Sequence, residues 1–233
     1  MNAPLVQPHS LRRKVLNLLL PIHTRLRKQK LDLFFELAGD CAQQSLLDLG
    51  GHSSAGMAGE FLPLYQAFRN VTVVNISARR LQFPTTARIR RVAADACSLP
   101  FASQSFDWVF SNAVIEHVGN WEAQKRFAAE VRRVARRGYY VTTPNKRFPI
   151  EPHTYLPIYQ YMPAVVQRRM IVFATGWVNT YEHASHIRLL TMKQMRELFP
   201  HAQVCRTGFP LYGNSLVAAY RALPGSAELS EAA

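Results

Sequence analysis

The sequence predicts an α/β protein built around a doubly wound, mostly parallel β-sheet. Three observations support this. Short runs of β-branched and aromatic residues alternate with helical segments, a glycine turn follows the first of these runs, and two further strand patterns end the chain. Alternating strands and helices favour parallel pairing with right-handed crossovers. With 233 residues, the chain is long enough for one domain with a full-sized core.

The N-terminal region, residues 1–40, is predicted to be a helical extension. Its apolar residues recur at the spacing of one helical face, as in Leu11, Val15 and Leu18. Pro21 is expected to break or kink this helix before a second piece that ends near Ala38. Seven lysines and arginines precede the first acidic residue, Asp32. The extension is therefore either a lid packed on the domain or a pair of interfacial helices on an anionic membrane surface.

The central region, residues 41–143, carries five strand patterns. They are Ser45–Leu49, Val71–Ile76, Ile89–Ala94, Phe106–Ser111 and Tyr139–Thr143. Helices are predicted over Gly56–Phe68 and Glu122–Arg137, with Gly138 ending the second one, and only a short helix containing Pro84 fits between the second and third strands. The strands alternate with the helices, as the doubly wound sheet requires.

The C-terminal third departs from this alternation. Residues 144–189 are rich in proline and aromatic residues and are predicted to form an irregular insertion with a helix near Pro163–Ala174. A capped helix follows at Thr191–Leu198, and then two strands, Gln203–Thr207 and Ser215–Arg221, are predicted to pair antiparallel. The last residues, 224–233, are predicted to be disordered.

Charge and cysteine content limit the classes of partner and compartment. The formal net charge is +13, which leaves nucleic acid, anionic lipid or an acidic small substrate open as partners. A second basic cluster falls on the helix predicted over residues 122–137. It consists of Lys125, Arg126, Arg132, Arg133, Arg136 and Arg137. The three cysteines are widely spaced and form no CxxC pair, which indicates a reducing compartment. With no run of about 18 apolar residues, the sequence predicts a cytoplasmic protein, and peripheral membrane contact stays open.

A glycine turn follows the first predicted strand in the stretch SLLDLGGHSSA, residues 45–55. Asp48 lies at the end of the strand, and Gly50 and Gly51 permit a tight turn to which a ligand can approach closely. Ser53 or Ser54 can cap the helix that comes next. Strand, glycine turn and helix start together predict a nucleotide-type pocket at the carboxyl edge of the sheet.

A longer block, AADACSLPFASQSFDWVFSNAVIEHV at residues 93–118, makes this prediction more specific. Together with LLDLGGH, it resembles the class I S-adenosylmethionine-dependent methyltransferases, in particular the methyltransferase type 11 family. The resemblance covers roughly residues 45–143. It implies a Rossmann-like seven-stranded sheet with a reversed C-terminal strand pair, a methyltransferase domain over residues 41–223, and a lid insertion at 144–189.

The resemblance also implies a cofactor, S-adenosylmethionine, and a set of residues around it. These residues are Asp48, Gly50, Gly51, His52, Asn75, Ile76, Asp95, Ala96 and Asn112. The glycines would face the amino acid and sulfonium part, Asn75 would contact the ribose, and Asp95 would accept a hydrogen bond from the adenine amine. Ile76 would give apolar contact to the adenine, and Asn112 would lie beneath the methyl group.

Two features depart from the family pattern. His52 and Ser54 stand where the family has its second and third glycines, and Asn75 replaces an acidic residue. An amide can accept one hydroxyl bond and donate another, but it carries no charge. These departures keep open the alternative of a non-catalytic binding protein on a methyltransferase scaffold.

Candidate catalytic residues lie after the fourth and fifth strands. His117 follows the fourth strand, and Glu151 and His153 belong to PNKRFPIEPHTYLP, residues 144–157, where this fold admits its acceptor. A base is needed if the acceptor is a hydroxyl or a protonated amine. The alternative is that these residues only hold a proline-rich loop in place. His183 and His186 have no evident third ligand, so no metal site is predicted.

The sequence therefore predicts methyl transfer to a small-molecule or lipid-linked acceptor. The net charge favours an RNA methyltransferase as the alternative. Against that alternative, no separate RNA-binding domain is evident, and SNAV at residues 111–114 stands where many base-amine methyltransferases have NPPY or DPPY.

Overall fold

The computed structural model describes residues 9–51, 58–77, 88–151, 153–154, 156–175, 186–209 and 213–222. The predicted crossover containing Pro84 and the predicted disordered tail at 224–233 lie outside these ranges. The strands are β1 (Ser45–Leu49), β2 (Asn70–Asn75), β3 (Ile89–Ala93), β4 (Phe106–Asn112), β5 (Ala135–Pro144), β6 (Gln203–Thr207) and β7 (Ser215–Arg221).

These seven strands form one sheet in the order β3-β2-β1-β4-β5-β7-β6. The pairs from β3 through to β5 are parallel, whereas β7 runs antiparallel to both β5 and β6. The order reverses direction at β1, which lies between β2 and β4. The predicted doubly wound sheet with a reversed terminal pair is confirmed, and its topological switch point lies where β1 and β4 end side by side.

Five helices accompany the sheet in the described part of the chain. They are α1 (His9–Ala38), α2 (Ala58–Ala67), α3 (Trp121–Val134), α4 (Ala164–Thr175) and α5 (Met192–Leu198). Pro21 lies inside α1, so a break of the helix at this position is wrong. An internal proline removes one backbone hydrogen bond, and a helix of 30 residues can continue past it. None of the described helices is both long enough and apolar enough to span a bilayer.

The boundary between α3 and β5 also differs from the prediction. The helix ends at Val134, and the next residues already belong to the strand. Arg136 and Arg137 reach back to the Asp107 carboxylate at the start of β4, with nitrogen–oxygen distances of 2.6 and 3.1 Å. Gly138 lies within β5 and does not end the helix. Glycine is required there because a Cβ would lie 2.2 Å from the carbonyl oxygen of Tyr220.

Two hydrophobic layers cover the two faces of the sheet. On one face, α3 and α5 contribute buried residues such as Phe127, Val131 and Met195. On the other face, the C-terminal part of α1 packs beside α2. Phe34 of α1 is the centre of this second layer, with ring centroids 5.2–6.1 Å from those of Phe68, Trp108, Phe110 and Tyr140. This end of α1 therefore packs on the domain.

Replacing Phe34 by alanine should destabilise the protein by about 3–5 kcal/mol, because it removes a buried ring and leaves a cavity among four aromatic neighbours. The neighbouring Phe35 is only half-buried, so Phe35→Ala should cost about 1 kcal/mol. The free energy of unfolding in urea measures both effects. Equal losses for the two variants would show that α1 does not pack on the sheet through Phe34.

Candidate active site

The carboxyl ends of β1, β2 and β4 meet at one edge of the sheet, at its switch point. β1 ends at Leu49, β2 at Asn75 and β4 at Asn112, and the predicted cofactor residues follow these ends. In open α/β sheets this edge is the usual position of a ligand crevice. His52 and Ser54 lie outside the described residues.

The glycine turn packs tightly against its neighbours. Gly50 has a φ of +84°, and its backbone nitrogen donates a hydrogen bond to the carbonyl oxygen of Val74 at 2.8 Å. A Cβ at Gly50 would lie 2.2 Å from Cγ2 of Val114, and one at Gly51 would lie 2.3 Å from Cγ1 of Val73. Both glycines are therefore required by packing against β2 and the loop after β4, a reason that the sequence did not reveal.

Asp48 is buried beneath this turn with only 4% of its surface exposed. The Tyr65 hydroxyl on α2 donates a hydrogen bond of 2.5 Å to its Oδ2. Burial raises the pKa of Asp48 to about 6, even though the bond from Tyr65 acts in the opposite direction. A Cβ at Gly51 would lie 2.6 Å from the same carboxylate oxygen. The carboxylate thus contacts the turn from inside the protein.

Asn75 holds the turn from the side of β2. Its amide nitrogen donates to the carbonyl oxygen of Gly51 at 3.0 Å, and its Oδ1 accepts from the backbone nitrogen of Ser77 at 3.2 Å. A carboxylate in this place could not donate to the Gly51 carbonyl and would repel it. The amide that departs from the family pattern is therefore used to fix the glycine turn.

The other predicted cofactor residues lie around the same edge. Ile76 is 76% exposed, which is unusual for a large apolar side chain. Asp95 is exposed, with Ala96 next to it, and its Oδ1 accepts from the backbone nitrogen of Cys97 at 2.8 Å. Asn112 accepts a hydrogen bond of 2.7 Å from the hydroxyl of Thr142. Next to it, Ala113 has a φ of 56°, a strained value for a residue with a side chain.

The three predicted catalytic residues come together beyond the ends of β4 and β5. Nδ1 of His153 lies 2.7 Å from Oε1 of Glu151, and the rings of His117 and His153 meet edge to face at a centroid distance of 5.1 Å. Oε2 of Glu151 also accepts from the backbone nitrogens of His153 and Thr154. These contacts bring together residues that are 36 positions apart in the sequence.

Glu116 joins this cluster. It is completely buried, and its Oε2 accepts a hydrogen bond of 2.9 Å from the hydroxyl of Thr143 on β5. Its Oε1 has no hydrogen-bond partner among the described residues. The sequence signal was its position next to His117, directly after a buried strand. His186 does not belong to the cluster, and His183 and Tyr155 are outside the described residues.

Burial and nearby charges shift the pKa values of the ionisable groups in and near this cluster. Burial raises the pKa of Glu116 to about 7, although the charges of His153 and Lys30 oppose this. Burial also lowers the pKa of Lys30 on α1 to about 8. Burial would raise the pKa of Glu151 and lower that of His153, but the contact between these two side chains outweighs burial. The contact therefore lowers the pKa of Glu151 and raises that of His153.

A cavity of about 340 Å³ lies beside Glu151, between the predicted insertion and α3. Polar and charged side chains form much of its wall, among them Gln124, Lys146, Gln160, Gln167 and Arg188. Gln124 is itself anchored, because its amide nitrogen donates to the carbonyl oxygens of Ile115 and Arg188. The cavity thus adjoins the cluster from the side of residues 144–189.

Asp48→Asn should stabilise the protein more as the pH rises from about 4 to about 7. The folded pKa of Asp48, about 6, is above its ordinary value of 3.8, so the folded state holds this proton more tightly than the unfolded chain does. The wild type therefore loses up to about 3 kcal/mol across this range, whereas asparagine does not titrate. Urea unfolding of both proteins at several pH values measures the difference.

Asp107→Asn provides the opposite control. Burial opposes the shift, but hydrogen bonds from Ser45 and Arg136 lower the pKa of Asp107. Its stabilisation is therefore present above the ordinary pKa and is lost as the pH falls through the folded pKa. The loss in free energy of unfolding that Asp107→Asn causes relative to the wild type should therefore become smaller as the pH falls. A difference between Asp48→Asn and wild type that did not change with pH would contradict the raised pKa of Asp48.

Comparison with known proteins finds one matching domain family and several solved structures of similar fold. A family described as a methyltransferase domain matches residues 49–142. A comparison with curated proteins gives no match. Among solved structures, the chain is similar to 1,6-didemethyltoxoflavin-N1-methyltransferase of Burkholderia thailandensis, with bound 1,6-didemethyltoxoflavin and S-adenosylhomocysteine. The identity is 19% and the TM-score 0.53, over 95% of this chain and 92% of that one.

Two further structures share the fold. N-methyltransferase NodS of Bradyrhizobium japonicum has 12% identity and a TM-score of 0.54, over 86% of this chain and 96% of that one. The YcgJ protein of Bacillus subtilis has 17% identity and a TM-score of 0.52, over 76% and 70%. Residues 49–142 therefore match a methyltransferase domain, and the chain shares its fold with these solved structures.

Proposed function

We propose that the protein transfers a methyl group from S-adenosylmethionine to a small-molecule or lipid-linked acceptor. One observation carries the proposal. The glycine turn after β1 contacts the loop after β4 through Gly50 and Val114, and the cluster of Glu116, His117 and His153 begins two residues further on. The proposed cofactor site and a group of ionisable side chains are therefore neighbours at one edge of the sheet.

The residues at this edge suit the cofactor. Gly50 and Gly51 are partly exposed, Ile76 offers an exposed apolar surface for adenine, and Asp95 has carboxylate lone pairs for the adenine amine. The buried Asp48 provides negative charge beneath a cofactor that is cationic at both its sulfonium and its amino group. When bound, this cofactor supplies a methyl group activated for displacement.

Glu151 and His153 are proposed to act on the acceptor. The contact between Glu151 and Nδ1 of His153 orients the imidazole and leaves its Nε2 directed away from this carboxylate. His117 packs against the same ring. A positioned imidazole–carboxylate pair assists proton loss from a hydroxyl or an ammonium group, and in-line methyl transfer to such an acceptor requires that loss. Positioning and exclusion of water contribute the rest.

The cavity beside Glu151 is proposed to hold the rest of the acceptor. Lys146 and Arg188 carry positive charge in its wall, and the glutamines offer amide donors and acceptors, which suits a polar or anionic group. A lipid-linked acceptor would also agree with a contact between the basic N-terminal part of α1 and an anionic membrane surface. On this reading the protein acts in the cytoplasm.

The second basic cluster gives little support to the RNA alternative. Arg136 and Arg137 bind Asp107, and Arg133 binds Glu130. Lys125 pairs with Glu122, and Arg132 donates to the carbonyl oxygen of Leu198. These side chains already have partners within the protein, so fewer of them are free to bind phosphates.

The acceptor class can be tested with methyl-labelled S-adenosylmethionine. The full-length protein would be incubated with three fractions of a cell extract: small polar metabolites, total lipids and total RNA. We expect label in the metabolite or the lipid fraction. Label in RNA alone would favour the RNA alternative, and cofactor binding without transfer to any fraction would favour a non-catalytic binding protein.

Asp95→Ala should weaken the binding of S-adenosylmethionine about tenfold or more, because a hydrogen bond to a charged group contributes about 1.5–3 kcal/mol. Isothermal titration measures the dissociation constant. Asp40→Ala is a matched control, since Asp40 is also exposed and also accepts from the backbone two residues on, but lies at the opposite edge of the sheet. Equal affinities for the two variants would contradict the proposed adenine position.

A further inference from the structure

We propose that Glu116, His117 and His153 bind one divalent first-row transition-metal ion. The metal binding itself is independent of the proposed function. Only the role of the ion rests on that function: the ion would bind the acceptor, and His153 would support proton loss from the acceptor as a ligand of this ion, in place of acting as the base itself. The proposal also replaces the expectation from the sequence that the chain has no metal site.

The first observation is the distance between the three side chains. Each offers one ligand atom, and these atoms all lie within 4.8 Å of one another. Ligand atoms about 2.1 Å from a tetrahedral metal ion lie roughly 3.4 Å apart. Small side-chain rotations would therefore close the site around an ion. Glu116 and His117 are adjacent in a short 3-10 turn, and His153 approaches from the segment after β5.

The second observation is the buried carboxylate of Glu116. The residue has no exposed surface, and its Oε1 has no hydrogen-bond partner among the described residues. An unpaired buried carboxylate oxygen is costly, and a bound cation would compensate for it. Lys30 is a nearby cation, but the described contacts include no hydrogen bond or ion pair between Lys30 and Glu116. Its ammonium group acts on Glu116 only from a distance.

The third observation is the support given to His153. Metal-bound histidines usually donate their other ring nitrogen to a carboxylate or a carbonyl oxygen. Here Nδ1 of His153 contacts Oε1 of Glu151, so Nε2 is the nitrogen that remains for a metal ion. Glu151 is in turn fixed by the backbone nitrogens of His153 and Thr154. The same contact that would orient a base therefore also suits a metal ligand.

The ligand types narrow the choice of metal. Two imidazoles and one carboxylate suit Zn²⁺, Mn²⁺ or Fe²⁺ better than Mg²⁺ or Ca²⁺, which prefer oxygen ligands alone. Three protein ligands leave coordination positions open. An acceptor hydroxyl in such a position would have a lower pKa and would release its proton to solvent. Its oxygen could then form the new bond to the methyl carbon as the carbon–sulfur bond breaks.

Metal titration of the full-length protein tests this site without any acceptor. The protein would be freed of metal with a chelator and titrated with Zn²⁺ by calorimetry and with Co²⁺ by visible absorption. We expect one ion per chain and a Co²⁺ spectrum of a site with nitrogen and oxygen ligands. The absence of saturable binding would overturn the proposal.

Variants show whether the ion binds at this cluster. Glu116→Gln and His153→Ala should each weaken Zn²⁺ binding by about 100-fold or more, and Glu151→Gln by about 10- to 100-fold, because Glu151 only orients His153. His186→Ala is the control, since this exposed histidine lies outside the cluster. This variant should bind Zn²⁺ with the affinity of the wild type. Circular dichroism would establish that each variant is folded. His153 lies on a loop, so its variant keeps the test informative if Glu116→Gln fails to fold.

The outcomes for the metal and for the methyl transfer remain distinguishable. Zn²⁺ binding of unchanged affinity in folded His153→Ala would show that the ion binds elsewhere and would contradict the proposed metal site. Label transfer that continues unchanged in chelator would exclude the proposed role of the ion and leave the methyltransferase function intact. Metal binding without label transfer to any fraction would contradict the function but retain the metal site.

Discussion

The contact between Gly50 and Val114 is the constraint on which the site depends. It joins the turn after β1 to the loop after β4 with no room for a Cβ. Asn75 holds the same turn from β2, and Asp48 lies beneath it. The cofactor edge is therefore a preorganised packing arrangement of three neighbouring strands. Because the loop after β4 continues directly into Glu116 and His117, this contact also sets where the ionisable cluster lies relative to the glycine turn.

The sequence allowed the sheet to be predicted well, because buried strands and a strongly amphipathic helix have distinct patterns. Predictions failed where a distant contact overrides a local signal. Gly138 looked like a helix terminator, but Tyr220 and Trp108 leave no space for a side chain there. Arg136 and Arg137 looked like the end of a basic helix, but Asp107 draws them into the sheet. Such contacts join residues about 30 to 80 positions apart, and a single sequence contains no sign of them.

The candidate site was predicted in its residue types but not in its connections. His117 was singled out after the fourth strand and Glu151 with His153 after the fifth, and the structure brings these residues together with Glu116. The role of Glu116 could not be derived, because its burial arises from β5 and the segment after it. The reason for asparagine at position 75 was equally hidden, since only the folded turn shows that an amide must donate to the carbonyl of Gly51.

The buried carboxylates form two groups that differ in their partners and in the direction of their pKa shift. Asp107 and Glu151 have cationic or hydrogen-bonding partners within the protein, and these contacts lower their pKa. Asp48 and Glu116 lack such a close cation, and burial raises their pKa to about 6 and about 7. Both lie at the carboxyl edge of the sheet. A cation bound close to either carboxylate would favour its ionised form. The cofactor proposed at the turn above Asp48 and the metal ion proposed at Glu116 would each supply such a cation.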